Sequence, residues 1–164
     1  MKITVLNTGG TFNKRYNPLL GELEVPSDAV ALDDILKSMH NVELEIINII
    51  SKDSLDITNE DRECLVNEIK KSPNEKIIIV HGTDTIDLTS DFIAKQIQDK
   101  TVVLTGAMVP MSIDKVEATI NFSLALGFLN ATVQNGVYIA MHGAVAPYKT
   151  LTKNRTLGQF LLQA

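Results

Sequence analysis

A single cysteine, Cys64, occurs among 164 residues, and tryptophan is absent. One thiol excludes an internal disulfide framework and any zinc site built on cysteines. Basic residues are outnumbered, with 15 Lys and Arg against 20 Asp and Glu and a net charge of −5. No basic excess or stripe exists to neutralise phosphates, which argues against a nucleic-acid partner. Long hydrophobic runs are missing as well. The apolar stretches are about the length of a strand, far short of the ~20 residues that span a bilayer, so no membrane partner is expected. Met1 to Leu6 runs directly into polar residues, unlike a signal peptide, and a cytoplasmic location is expected. Internal repeats, low-complexity tracts and Pro/Gly/Ser linkers are also absent. At about 150 residues per domain, residues 1–164 are expected to form a single domain with a real core.

What is present alternates between two periods. Ile3 to Leu6, Val42 to Ile50, Lys76 to Val80, Thr101 to Thr105 and Gly136 to Met141 are short and rich in Val and Ile. Three of them are nearly continuous in apolar residues, as strands covered on both faces should be. Longer segments with helical spacing lie between them, over 28–39, from Thr58, over 88–98 and over 115–131. Thr58 to Asp61 resembles a capping box with Asp in place of Glu. This alternation predicts an α/β, doubly wound, mostly parallel sheet with flanking helices. Two stretches fit less well. Residues 9–27 read as a long polar loop, and loops of that length are usually functional or mobile. The tail from Gly143 shows no clear period.

In doubly wound sheets a ligand lies outside the carboxyl ends of the strands. Four polar clusters fall there: Thr8-Gly9-Gly10-Thr11, Ser51-Lys52-Asp53-Ser54, His81-Gly82-Thr83-Asp84-Thr85 and Thr105-Gly106-Ala107-Met108. Glycines let the backbone approach a ligand and expose amide donors, which makes Gly10 a candidate binding residue. A hydroxyl such as Thr11 attacks a carbonyl only if a neighbour takes its proton. Thr83 and Asp84 supply a second hydroxyl and a carboxylate, and Lys100 could complete a Thr–Lys–Asp relay. Tyr16, a phenol near that threonine, could polarise or take up its proton. Each element alone has an ordinary reading. Thr8 and Thr11 could cap a turn, Asp84 could cap a helix, Lys100 could be a solvated lysine and Tyr16 a loop anchor. His81 is expected to support its turn through backbone hydrogen bonds, and Cys64 to be a buried small residue. The first loop matches neither a P-loop nor a dinucleotide fingerprint. His40, His81 and His142 lack metal-ligand spacing, so no metal is expected.

The motifs Thr8-Gly9-Gly10-Thr11-Phe12, His81-Gly82-Thr83-Asp84-Thr85 and Val103 to Pro110, in that order, resemble the amino-terminal domain of the bacterial-type L-asparaginase family. The similarity covers almost the whole chain. It implies a flavodoxin-like sheet and hydrolysis of L-asparagine or a related small-molecule amide to the acid and ammonia, by an acyl-enzyme or direct water attack. It implies no metal or organic cofactor. Thr11 matches the nucleophile, Thr83, Asp84 and Lys100 the second catalytic group, and Tyr16 the mobile-loop tyrosine. Ser51 matches the serine that binds the substrate's α-carboxylate, and Asp84 also binds its α-amino group. Lys52 stands where secreted members carry a substrate-contacting glutamine. Val109 replaces the arginine usual in Gly-Ala-Met-Arg-Pro. The family's second, carboxy-terminal domain is expected to be absent, and a homo-oligomer is expected. A non-catalytic module that binds an amino acid on the same fold is the alternative.

Overall fold

Residues 2–131 and 134–163 are described by a computed structural model. The chain runs β1 (Lys2–Gly9), a one-turn 3₁₀ helix (Thr11–Asn13), β2 (Arg15–Asn17), β3 (Glu22–Glu24), α1 (Val30–Leu36) and β4 (Glu43–Lys52). After a second 3₁₀ turn (Ser54–Asp56) come α2 (Asn59–Lys71), β5 (Lys76–Val80), α3 (Ile86–Ala94), β6 (Thr101–Thr105) and α4 (Lys115–Asn130). The end of the chain holds β7 (Gly136–Met141), β8 (Ala144–Pro147), β9 (Leu151–Asn154) and β10 (Gln159–Leu162).

The main sheet has the order β4-β1-β5-β6-β7-β8. Its first five strands are parallel, and β8 turns back antiparallel on β7. Taken in chain order, the parallel strands follow the 2-1-3-4-5 arrangement of a flavodoxin-like sheet. The point where the order reverses lies between β1 and β5.

Alternation along the strands builds two cores. Ile77, Ile79, Val102 and Leu104 face α2 and α3 with Leu65, Val66, Ile69, Ile86 and Ile93. Ile78, Val80 and Val103 face the other way, against Leu32 and Ile35 of α1 and Ala118, Phe122, Ala125 and Leu129 of α4. Burial on both faces is why β5 and β6 read as unbroken apolar runs. Helix α2 opens with a capping box: Thr58 accepts from the Asp61 amide, and Asp61 accepts from the Thr58 amide at 2.8 Å.

Three expectations need correction. Residues 9–27 are not a plain loop, because β2 and β3 pair as an antiparallel hairpin. The tail is structured too, since β8 extends the main sheet and β9 and β10 form a second hairpin. Cys64 is exposed. On α2 it is Leu65, Val66 and Ile69 that turn toward the sheet, which leaves Cys64 on the solvent side.

Candidate active site

The strand ends meet at the reversal point because glycines let backbone rest on backbone. Gly10 has φ +72°, and a side chain there would fall onto the backbone of Gly82. A side chain at Gly82 would in turn strike Ser54. The loops after β1, β4 and β5 are therefore in direct contact, as close approach without a Cβ permits. The Gly10 amide donates to the Lys52 carbonyl at 2.9 Å, so this amide is already engaged and is not free for a ligand.

Thr11 opens the 3₁₀ turn beyond Gly10 and is half-buried. Among the described residues no side-chain hydrogen bond holds its hydroxyl. Beneath it, Thr8 donates to the Val80 carbonyl at 2.8 Å and ties β1 to the end of β5.

Thr83 and Asp84 follow β5. Helix α3 begins only at Ile86 with Thr85 as its N-cap residue, so Asp84 is not its cap. The lysine that reaches them is Lys153. Its Nζ donates to Thr83 Oγ1 at 2.8 Å and to Asp84 Oδ1 at 2.9 Å. Lys153 lies on β9, where Leu151 and Phe160 are buried beneath it, and its side chain is only 13% exposed. The Thr83 hydroxyl donates to Met108 Sδ at 3.3 Å, a weak acceptor that is easily exchanged for a better one. Arg155 approaches from the turn after β9, donating through Nη1 to Asp84 Oδ1 at 2.8 Å and through Nη2 to the Asp84 carbonyl at 2.7 Å. The Lys153 hydrogen bond holds the Asp84 carboxyl below its ordinary range against the cost of burial, and Arg155 reinforces it.

Lys100 is not part of this group. It precedes β6 and so lies at the amino end of the sheet, where its Nζ donates to the carbonyls of Ser72 (2.8 Å) and Asn74 (2.9 Å). In a parallel sheet the residues before and after a five-residue strand are separated by about 20 Å. The Thr83–Lys100–Asp84 grouping therefore does not assemble, and Lys153 stands where it was expected.

Ser51 and Lys52 end β4 beside the first loop, where Lys52 pairs with Gly9. Both belong to β4, Ser51 is exposed, and the Lys52 ammonium is held by Asp61 at 2.7 Å. The serine against Gly82 is Ser54, buried in the following turn and preceded by Asp53, which accepts from the Leu55 amide. Asp53 is also bound by Lys14 at 2.6 Å, which ties this turn to the first loop. Tyr16 is 61% exposed on β2, opposite Leu23, and makes no hydrogen bond to Thr11.

Two histidines brace the floor. His81 is fully buried, with Nδ1 against the Gly82 carbonyl at 2.7 Å and Nε2 against Thr89 Oγ1 at 2.9 Å. Burial pushes its pKa down to about 4, so it is neutral at pH 7 and supports the turn. Glu117 accepts from the amides of Met108 and Val109, and from His142 Nε2 at 2.9 Å. This carboxylate fixes the Met108 turn beside Thr83. Among the described residues, no group of three His, Cys, Asp or Glu is placed to hold a metal ion, and no helix is long and apolar enough to cross a membrane.

Three residues escaped the sequence reading, Lys153, Arg155 and Glu117, and Ser54 was named only within the Ser51–Ser54 cluster. For Lys153 the available signal was the apolar Leu151 and Phe160 flanking a polar Asn154–Gly158 turn, the pattern of a short hairpin. For Ser54 it was the adjacent Asp53, a residue type that readily starts a turn.

Strand order and loop contacts define a flavodoxin-like domain with a hydroxyl, a lysine and a carboxylate at its reversal point. The family model described as "Asparaginase, N-terminal" matches residues 2–160, and the chain belongs to that family. It is 28% identical over 162 residues to an L-asparaginase of Thermococcus kodakarensis, covering 96% of this chain and 49% of that protein. Its similarity to a glutaminase-asparaginase of Acinetobacter glutaminasificans is 26% over 163 residues, covering 92% and 49%. It is also 28% identical over 151 residues to a subunit of the glutamyl-tRNA(Gln) amidotransferase of Methanococcus maripaludis, covering 86% and 35%. The solved thermostable L-asparaginase from Thermococcus kodakarensis superposes with a TM-score of 0.86, covering 99% of this chain and 51% of that one. The chain spans about half the length of the two asparaginases and about a third of the amidotransferase polypeptide.

Proposed function

We propose that this chain is the catalytic domain of an amidohydrolase of the asparaginase type, converting a small amide and water into the acid and ammonia. The observation that carries this reading is Lys153 bridging the Thr83 hydroxyl and the Asp84 carboxylate, next to a loop that presents Thr11. In this reading the Thr11 oxygen bonds to the amide carbon, the carbon–nitrogen bond breaks and ammonia leaves. Water then hydrolyses the ester and restores the Thr11 hydroxyl. The proton of Thr11 must go to a neighbour as the bond forms. The Thr83 hydroxyl can relay it. Its oxygen takes the Thr11 proton while its own proton, resting on a weak sulfur acceptor, passes to the departing nitrogen, which leaves as ammonia. The Lys153 ammonium steadies the charge that develops on the Thr83 oxygen. The Asp84 carboxylate holds that ammonium in place and faces the substrate. Ser51, exposed at the end of β4 beside the Gly9–Gly10 loop, is the residue for the substrate's acid group, and the buried Ser54 packs the turn beneath Gly82.

The test is ammonia release from millimolar L-asparagine, L-glutamine and succinamate, with Thr11→Ala as control. Release that falls at least about a hundredfold in Thr11→Ala is expected, the scale of losing a positioned reacting group. Release that survives both Thr11→Ala and Thr83→Val, or no release of ammonia from any of the three amides by the folded protein, would overturn the reading.

A further inference from the structure

We propose that Arg155 sets substrate preference here, by occupying the Asp84 carboxylate that a substrate ammonium would otherwise meet. The favoured substrate is then an amide that carries an acid group but no free α-amine, such as an N-acylated or deaminated asparagine. The inference rests on the reading of Asp84 as a substrate-facing group.

Three observations support it. First, Asp84 Oδ1 already receives two charged donors, Lys153 Nζ and Arg155 Nη1, and Arg155 Nη2 fastens the guanidinium to the same residue's carbonyl. An incoming ammonium would have to displace a two-point guanidinium contact, and planar guanidinium pairs of this kind are geometrically demanding and strong. Second, two cations meet one anion at this point. A third cation would have to share an oxygen that already holds two. Asp87 lines the same cleft from α3 but bonds to neither cation, so it leaves the pairing at Asp84 intact. Third, the Arg155 side chain is 63% exposed, so its N–H donors beyond those spent on Asp84 are open to an acid group. The turn that carries it is fixed, because Asn154 accepts from the amides of Thr156 and Leu157.

Succinate and L-aspartate differ only in the ammonium, which makes them matched probes. Both are titrated calorimetrically into the chain, its Arg155→Gln variant and its Arg155→Lys variant, at one pH and ionic strength. The unsubstituted chain is expected to bind succinate more tightly. Arg155→Gln should swing the affinity ratio roughly tenfold toward L-aspartate, the scale of one charge-assisted contact. Arg155→Lys, which keeps the charge but loses the two-point grip, should fall between. A ratio that is unchanged in Arg155→Gln, or a preference of the unsubstituted chain for L-aspartate, overturns the role of Arg155 and leaves the site standing. If neither ligand binds any of the three proteins at millimolar concentration, both this role and the reading of Asp84 fall.

Discussion

Lys100 and Lys153 are both nearly buried, and each ammonium donates to two oxygens, yet they stand at opposite ends of one sheet. Lys100, only 8% exposed, satisfies the carbonyls of Ser72 and Asn74 where the chain passes from α2 into β5. Among the described residues, no carboxylate and no hydroxyl accepts from it there. Lys153 touches Thr83 and Asp84, two groups that can exchange or balance a proton. The same side chain closes a backbone turn at one end and joins a hydroxyl to a carboxylate at the other. What separates the two uses is the direction of the strands. Parallel strands bring all their carboxyl ends, and the loops that follow them, to one edge.

The contrast extends to buried titratable groups, and the largest expected effect concerns His81. Its pKa falls from 6.5 to about 4 in the folded chain, so between those values the unfolded state binds more protons than the native one. Stability is then full above about pH 6.5 and falls as pH drops toward about 4, by on the order of 3 kcal/mol from this group. Urea unfolding at several pH values should show that decline, and His81→Gln should flatten it. An equal decline in the variant would assign the pH dependence elsewhere. Asp84 acts in a lower window, because its lowered pKa means that its contribution is lost only as pH falls below about 3.8.

A somewhat smaller effect is expected at the amino end. Lys100→Met removes both donors to the Ser72 and Asn74 carbonyls, a loss of about 2 kcal/mol for hydrogen bonds from a charged group. In a chain of this size that lowers the melting temperature by roughly 4–8 °C. A melting temperature that does not move would mean that these bonds contribute nothing to the fold.

Most of the sheet and all four helices were legible in the sequence because burial on two faces imposes simple periods. Ile77 to Val80 and Val102 to Leu104 leave no polar position to confuse with a surface strand. The two hairpins were not legible. Arg15–Asn17 and Glu22–Glu24 are short and mostly polar, and Leu151–Asn154 buries one residue fully. Thr11, Thr83 and Asp84 were singled out because they follow strands directly. Lys153 was missed because it arrives 69 residues after Asp84, on a strand that pairs outside the main sheet. Lys100 was favoured through its closeness to β6 in sequence, although a residue before a parallel strand stands at the wrong edge.

In the proposed reaction Lys153, and not Lys100, serves the chemistry at the reversal point. The direct test measures amide hydrolysis and melting temperature together for Lys153→Met and Lys100→Met. In Lys153→Met the Asp84 carboxylate keeps Arg155 as a partner, so the fold should persist while turnover falls by at least about a hundredfold. Lys100→Met should melt earlier and, below its melting temperature, turn over at the unsubstituted rate. Equal rates in the two variants, or a rate lost only in Lys100→Met, would contradict the account.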